Sequence, residues 1–199
     1  MEPRPTDAAV ILASRVDPPC FGEVFDRHFR PIYWYLGRRV GGQLADELAA
    51  EVFVLAFEQR ARYDAARPDA RPWLFGVAAN LLRRYRRRER RRLLAYARTG
   101  AASVAPDEIE DAQNRADAAR TGKQVALALA ALRPEEREVL LLFAWAELSH
   151  EEIAQALQIP VGTVRSRRSR ARTRIRSLLS AEARQSRPWR STQEAKADG

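Results

Sequence analysis

Residues 148–176 constrain the fold more than any other stretch of this chain. Their sequence, LSHEEIAQALQIPVGTVRSRRSRARTRIR, combines a short apolar-patterned helix, a turn, and a helix that carries seven arginines and no acidic residue. A helix-turn-helix needs a small residue where its two helices meet, and Ala154 fits that position. The apolar residues that would hold the crossing angle are Ile153, Leu157, Ile159 and Val164. The pattern therefore predicts a helix-turn-helix.

The turn and the second helix predict contact with DNA. Pro160 ends the first helix, Gly162 gives flexibility, and Thr163 is a candidate N-cap of the second helix. In a helix-turn-helix, the second helix enters the major groove and its N-terminal residues reach base edges.

The alternative is a basic amphipathic helix on a solvated surface, because an apolar stripe runs along the second helix. Seven like charges within twelve residues repel one another unless an anion compensates them, so the sequence favours nucleic-acid binding. Arg168 lies on the apolar stripe, four residues after Val164, and is expected to extend to a phosphate or to water.

The net charge also indicates a polyanionic partner. At 199 residues the chain has room for one ordinary domain or two small ones. Its formal net charge is +9, supplied by 33 arginines against 2 lysines. Arginine favours bidentate contact with phosphates and guanine edges.

Catalytic and metal chemistry have little support in the sequence. Cys20 is the single cysteine, which excludes an internal disulfide and a cysteine-built zinc site. His28 and His150 are the only histidines, and each is far along the chain from a plausible triad partner. We therefore expect no catalytic residue, no metal and no cofactor. The sequence has neither a long apolar run nor a signal-peptide pattern, which predicts a soluble, cytoplasmic protein without membrane insertion.

Helical periodicity and composition divide the chain into five segments, and no strand-like alternation of useful length occurs. The predicted fold is therefore all-α, with two small helical domains joined by a flexible linker. The segments are a flexible N-terminus at 1–20, a helical domain at 21–98 with a loop at 63–72, an acidic linker at 99–121, a second helical domain at 122–182, and a disordered tail at 183–199.

Two basic helical units in this order resemble the sigma-70 family of bacterial RNA polymerase sigma factors, in its compact extracytoplasmic-function (ECF) group. The second unit resembles the family's region four, most clearly in EREVL, EEIA and GTVRSR. In the first unit, ADELAAEVFVLAF and RPWLFGVAANLLRRYRRR resemble region two. The resemblance covers nearly all of residues 21–179. It implies a non-enzymatic sigma factor that binds core RNA polymerase and directs promoter recognition, DNA melting and transcription initiation.

The resemblance also implies partners and their contact residues. It sets Asp46, Glu47 and Glu51 against a basic coiled coil of the large polymerase subunit. By their spacing these carboxylates lie opposite the apolar stripe of their helix, and without the resemblance an ordinary solvated face would be the better explanation. Promoter DNA is the second implied partner, and an anti-sigma factor, which commonly holds members of the family, is a further candidate.

For the minus-ten promoter element, the resemblance implies that the loop at 63–72 captures a flipped base while the following helix holds the strand. The implied residues are Trp73, Asn80, Arg83, Arg84, Arg87 and Arg88. Trp73 alone would more often belong to a core. A protein without ATP can open DNA only by binding the unpaired state better than the paired one, and base stacking with phosphate contacts suits that task.

For the minus-thirty-five element, the start of the second helix of the helix-turn-helix is expected to reach base edges, and other positions to contact phosphates. The candidates for base edges are Arg165, Ser166, Arg167, Ser169 and Arg170, and those for phosphates are Thr163, Arg172 and Arg174.

Three positions depart from the family pattern: Ala50 replaces a frequent glutamine, Gln158 the usual glycine of the turn, and Arg168 an apolar residue. Rival functions also stay open. A free-standing helix-turn-helix regulator would leave the region-two-like unit unexplained. A nucleic-acid-processing enzyme would need a metal-binding carboxylate cluster, or a nucleophile with its base. A basic protein that coats DNA would not need well-formed apolar cores.

Overall fold

The computed structural model describes residues 4–99 and 112–185, with side chains for residues 4–85, 89–98 and 121–180. Every regular element within these ranges is helical, which confirms the all-α prediction. The α-helices are α1 (Asp7–Ala13), α2 (Gly22–Val40), α3 (Gly42–Gln59), α4 (Arg71–Leu82), α5 (Arg86–Thr99), α6 (Ala112–Ala131), α7 (Pro134–Ala144), α8 (His150–Leu157) and α9 (Val161–Gln185). Short 3-10 turns occupy Pro18–Phe21, Arg60–Arg62 and Arg83–Tyr85.

α2 and α3 pack against each other across a one-residue connection. Gly41 makes that connection with a φ of 101°, a conformation that a residue with a Cβ rarely adopts. The buried faces of the two helices contribute Leu36 and Leu48, each at most 1% exposed. Burying a side chain of this size stabilises the fold by about 1.5–3 kcal/mol.

α4 is the central helix of the first unit. It is apolar on nearly all sides, as expected of a helix surrounded by other elements. Leu74 and Phe75 are fully buried, and the Phe75 ring meets the Tyr35 ring edge-on at 5.2 Å between centroids. The sequence predicts one helix from residue 73 to residue 98, whereas the structure interrupts it at Arg83–Tyr85. This interruption lies within a run of like charges, which destabilises a continuous helix.

The second unit contains the predicted helix-turn-helix, formed by α8 and α9. α8 begins with a capping box, in which the Glu152 amide donates to Ser149 Oγ at 3.2 Å and the Ser149 amide donates to Glu152 Oε2 at 2.6 Å. Gln158 ends α8 in the left-handed conformation, with a φ of 53°. α9 begins at Val161, so the prediction that Thr163 caps it is wrong. The Thr163 amide already donates to the Pro160 carbonyl inside the first turn.

The first described residues differ from the predicted flexible N-terminus. α1 is capped by Thr6, whose side chain accepts from the Ala9 amide at 3.2 Å. Ala8, Val10 and Ile11 are at most 5% exposed, so α1 contributes to the core. Two of its partners, Pro68 and Ala70, lie about 60 residues away in sequence, where local periodicity gives no signal.

Two further segment predictions meet the structure only in part. The predicted linker at 99–121 overlaps α6, which begins at Ala112, while residues 100–111 lie outside the described residues. The tail predicted at 183–199 overlaps the end of α9 at Gln185, and residues 186–199 also lie outside the described residues.

The two units are in contact through α4 and α8. A Cβ placed on Gly76 would lie 2.5 Å from the Ala156 carbonyl oxygen, so glycine permits this close approach. Arg71 Nη2 donates to the Ala146 carbonyl at 2.6 Å across the same boundary.

A buried polar network joins the units a second time. Arg39, 3% exposed, donates from Nε to Glu89 Oε1 at 2.7 Å and from Nη1 to Glu138 Oε1 at 2.6 Å. The Tyr35 hydroxyl donates to Glu138 Oε1 at 2.8 Å. Burial alone would lower the pKa of Arg39, but the charges of Glu138 and Glu89 raise it well above its usual value. Arg39 therefore stays charged, and the network binds α2 and α5 to α7.

Candidate functional site

The N-terminal half of α9 presents a row of cations to solvent. Of the residues predicted to meet the minus-thirty-five element, Thr163 and Arg167 are half-buried. The exposed ones are Arg165, Ser166, Ser169, Arg170, Arg172 and Arg174. Arg165 faces Glu151 Oε1 at 3.4 Å, and Arg170 Nε donates to Glu136 Oε1 at 3.1 Å. These pairs orient two arginines along the exposed face.

A basic groove lies between the start of α8 and one face of α9. It encloses about 290 Å³. Its lining residues are His150, Arg165, Arg168, Ser169, Arg172, Thr173 and Arg176. Because four of these side chains are guanidinium groups, the groove suits a phosphodiester backbone.

Arg168, expected to extend to a phosphate or to water, is half-buried at the edge of this groove. Its guanidinium lies over the Phe143 ring, 3.6 Å from the centroid. Its Nη1 is 2.9 Å from His150 Nε2, and its buried Nε has no hydrogen-bond partner. The aromatic ring and the histidine thus replace the apolar contact that this stripe position would otherwise make.

The residues predicted to meet the minus-ten element lie along and after α4. Trp73 is half-buried beside Tyr63, with 5.0 Å between ring centroids. Asn80, Arg83 and Arg84 are exposed. The side chains of Arg87 and Arg88 lie outside the described residues. Arg84 lies beside Glu51 of α3, with 3.7 Å between its Nη1 and the Glu51 Oε1.

Trp73 and Asn80 line a cleft between the two units. The cleft encloses about 630 Å³. Its first-unit wall also contains Arg62, Tyr63 and Arg67, so aromatic faces, an amide and guanidinium groups converge there. Gln155, Gln158, Ile159 and Pro160 form part of the opposite wall, from α8 and the turn of the helix-turn-helix.

The predicted polymerase-binding acids lie on the outer face of α3. Asp46 and Glu47 are exposed, and Glu51 is half-buried with its Oε1 3.7 Å from Arg84 Nη1. Val54, 56% exposed, follows Glu47 and Glu51 along the same helical face. An acidic face with an exposed apolar residue can dock on a basic protein surface.

Asp7, His28 and Asp69 offer ligand atoms within 4.8 Å of one another. The Asp7 carboxylate, however, already accepts from Arg27 Nη1 at 2.6 Å and from the Ala70 amide at 3.0 Å. A cation there would compete with the Arg27 guanidinium, so the group is better explained as a structural contact. Among the described residues, no helix combines the length and the apolar composition needed to cross a membrane.

Similarity to known proteins identifies the family of this chain. Residues 24–92 match the family model of sigma-70 region 2, and residues 122–175 match that of sigma-70, region 4. The chain is also 33% identical to the ECF RNA polymerase sigma factor SigE of Mycolicibacterium smegmatis over 183 residues, which cover 88% of this chain and 68% of SigE. The chain belongs to the sigma-70 family, in its ECF group. This sigma factor binds core RNA polymerase and promoter DNA, directs transcription initiation, and is not an enzyme.

Solved structures are similar over most of the sigma factor. One is CnrH, in complex with the cytosolic domain of CnrY, with 28% identity, a TM-score of 0.60, and coverage of 88% of this chain and 99% of that chain. CnrH is a sigma factor of Cupriavidus metallidurans. The sigma factor RpoE of Bartonella quintana, in complex with the anti-sigma factor NepR, has a TM-score of 0.56 over 82% of this chain and 99% of that chain. At 20% identity, the second likeness shows the fold alone.

Sequence reasoning missed the residues that join the two units of the sigma factor. Gly76, inside an otherwise apolar helix, gave a usable signal, because a glycine there often marks a close approach of another backbone. Arg39 and Glu138 gave none, since their charges resemble those of any solvated helix face and they lie 99 residues apart.

Proposed function

We propose that the sigma factor reads its two promoter elements with two separate surfaces. In this assignment the minus-thirty-five element binds α9, where Arg165, Ser166, Arg167, Ser169 and Arg170 contact base edges and Thr163, Arg172 and Arg174 contact phosphates. The exposed row of cations on α9 is the observation that carries the proposal. The adjoining basic groove supports it, because a backbone phosphate there would meet several guanidinium groups.

The minus-ten element is assigned to the first unit. Trp73, which is half-buried, offers a ring face to an unpaired base, while Asn80, Arg83, Arg84, Arg87 and Arg88 hold the strand. The cleft supports this assignment, because its wall brings aromatic faces and guanidinium groups together. Such a surface favours the open DNA state, since paired bases cannot stack on a protein ring.

Asp46, Glu47 and Glu51 are assigned to docking on a basic surface of core polymerase. Exposed carboxylates arranged in this way steer association and select a positively charged partner. The polymerase would then set the separation of the two DNA-binding units, which we assign to residues 21–98 and 122–182. A sigma factor that works on polymerase acts in the cytoplasm, and we assign it there.

An anti-sigma factor is the third proposed partner. CnrH was solved with the cytosolic domain of CnrY and RpoE with NepR, so similar folds bind other proteins. The exposed docking face of α3 is available for such a partner in the described part of the chain.

A matched pair of variants tests the assignment on α9. In holoenzyme, Arg167→Ala is expected to lower the discrimination between the preferred base and the other bases at one minus-thirty-five position by about 1–3 kcal/mol. The reason is that a bidentate arginine reads a base edge. Arg174→Ala is expected to weaken binding to every promoter alike. The slope of log affinity against log salt concentration should also fall by about one, because one phosphate contact is lost. Initiation rates on templates with single-base changes provide the measurement. An equal loss at every template for Arg167→Ala would argue against base reading.

A further inference from the structure

α1 lies outside the part of the chain that matches region 2, which begins at residue 24. It nevertheless contacts the loop at 63–70 at both ends. Near its N-terminus, the Ala8 amide donates to the Pro68 carbonyl at 3.3 Å and Asp7 Oδ2 accepts from the Ala70 amide at 3.0 Å. α1 therefore binds the end of the loop from which α4 starts.

The other end of the loop is bound by the residues that follow α1. Arg60 Nε donates to the Ser14 carbonyl at 3.2 Å. Arg15 Nη2 donates to the carbonyls of Arg60 and Tyr63, each at 3.2 Å. The intervening residues 64–69 are exposed, so the loop is held at its two ends and presents its middle to solvent.

Asp7 is the best-anchored residue in this arrangement. It is 6% exposed and joins α2 to the loop, because Arg27 Nη1 and His28 Nε2 each lie 2.6 Å from its carboxylate. Burial alone would raise the pKa of Asp7, but hydrogen bonds with His28, the Ala70 amide and Arg27 hold that pKa well below its usual range. The carboxylate stays ionised at neutral pH and accepts all three contacts.

The fixed loop end leads directly into the proposed base-binding surface. Ala70 is fully buried and precedes the first turn of α4, which carries Trp73. At the other end, the Tyr63 ring packs against Trp73 and its hydroxyl donates to the Arg67 carbonyl at 2.7 Å. A shift of either loop end would therefore move an aromatic face.

We propose that α1 sets the conformation of the loop at 63–70 and that Asp7 is a positioning residue for capture of an unpaired minus-ten base. Asp7 acts through Ala70 and touches no DNA. The inference rests on the proposed function of this loop and of Trp73. Pre-positioned groups discriminate better than mobile ones, so the ionised carboxylate contributes to base selectivity.

Asp7→Asn tests this inference, since it keeps the size of the side chain and removes its charge. Full-length protein is assembled with core polymerase on four templates that differ only in the unpaired minus-ten base. We measure initiation from each and express selectivity as the ratio of the best base to the worst. The ratio is expected to fall about tenfold, with initiation from the worst base retained. Glu23→Gln is the control, because Glu23 also contacts Arg27 but not the loop, and its ratio should equal that of the wild type.

Should Asp7→Asn not yield folded protein, Arg15→Met releases the other loop end from an exposed position and is expected to lower the same ratio. An unchanged ratio in the folded variants, or an equal loss at all four bases, would overturn the inference while leaving the proposed function intact. A wild-type protein that initiates without any base preference would overturn both.

Discussion

Arg168 is a charged residue at a position of the helix-turn-helix where an apolar side chain is expected. The position lies on the apolar stripe of α9, and it is half-buried. The guanidinium instead covers the Phe143 ring and contacts His150, leaving its buried Nε without a partner. The favourable cation–π contact therefore offsets part of the cost of burying a charged group.

Two substitutions measure whether the cation–π contact of Arg168 offsets the cost of burying its charge. Arg168→Met fills a similar volume without a charge, so its free energy of unfolding should stay within about 1 kcal/mol of the wild type. Arg168→Ala leaves a space over the Phe143 ring and should lose about 2 kcal/mol. Urea denaturation followed by circular dichroism provides both values. If the methionine variant is as unstable as the alanine variant, the charge itself is required.

Single residues also mark the limit of what the sequence predicts. The exposed arginines of α9 follow from helical periodicity, because the apolar stripe identifies the opposite face. The contacts of Arg168 depend on Phe143 and His150, which approach it only after α7, α8 and α9 have packed. Residue type and spacing could locate that position but could not determine its partners.

At the scale of elements, the turn between α8 and α9 sets the geometry of the DNA-binding surface. Gln158 adopts the left-handed conformation that usually selects glycine. In this turn the Ile159 amide donates to the Ala154 carbonyl at 3.0 Å, which closes the end of α8. The turn therefore keeps its form without glycine, at a cost in backbone strain.

This strain predicts a stabilising substitution. Gln158→Gly should raise the free energy of unfolding by about 1 kcal/mol, because glycine adopts the same φ without a steric penalty. The control is Gln155→Gly, the same substitution inside α8. This variant should lower the free energy of unfolding by about 1 kcal/mol. Chemical denaturation of both proteins measures the difference. A loss of stability in Gln158→Gly would show that the glutamine side chain outweighs the strain.

Elements with strong periodicity were predictable, and those that depend on distant contacts were not. α2, α3, α8 and α9 follow from apolar spacing, and the all-α class follows with them. α1 has seven residues and its anchoring partner Ala70 lies 63 residues from Asp7, so its fold depends on tertiary contacts. The same reason applies to the start of α6, within a segment whose composition predicts a linker.

At the scale of the whole molecule, the two DNA-binding units are packed together. α4 meets α8 at Gly76, and Arg39 binds Glu138 in a buried network. In this arrangement α8 and its turn face Trp73 and Asn80 across the cleft. For the cleft to receive a DNA strand as proposed, the second unit has to move away from it, and docking of polymerase on the acidic face of α3 is the proposed cause of that movement. Promoter recognition is therefore expected to require polymerase.

Initiation by reconstituted polymerase is the most direct measurement of that requirement. Core polymerase, with and without this protein, is supplied with double-stranded templates whose upstream sequences are randomised, and the transcripts are sequenced. We expect transcripts from a subset of templates that share two spaced sequence elements, only when both components are present. The opposite result would be a polymerase that neither binds the protein nor initiates better with it, or a protein that alone binds the same templates as tightly.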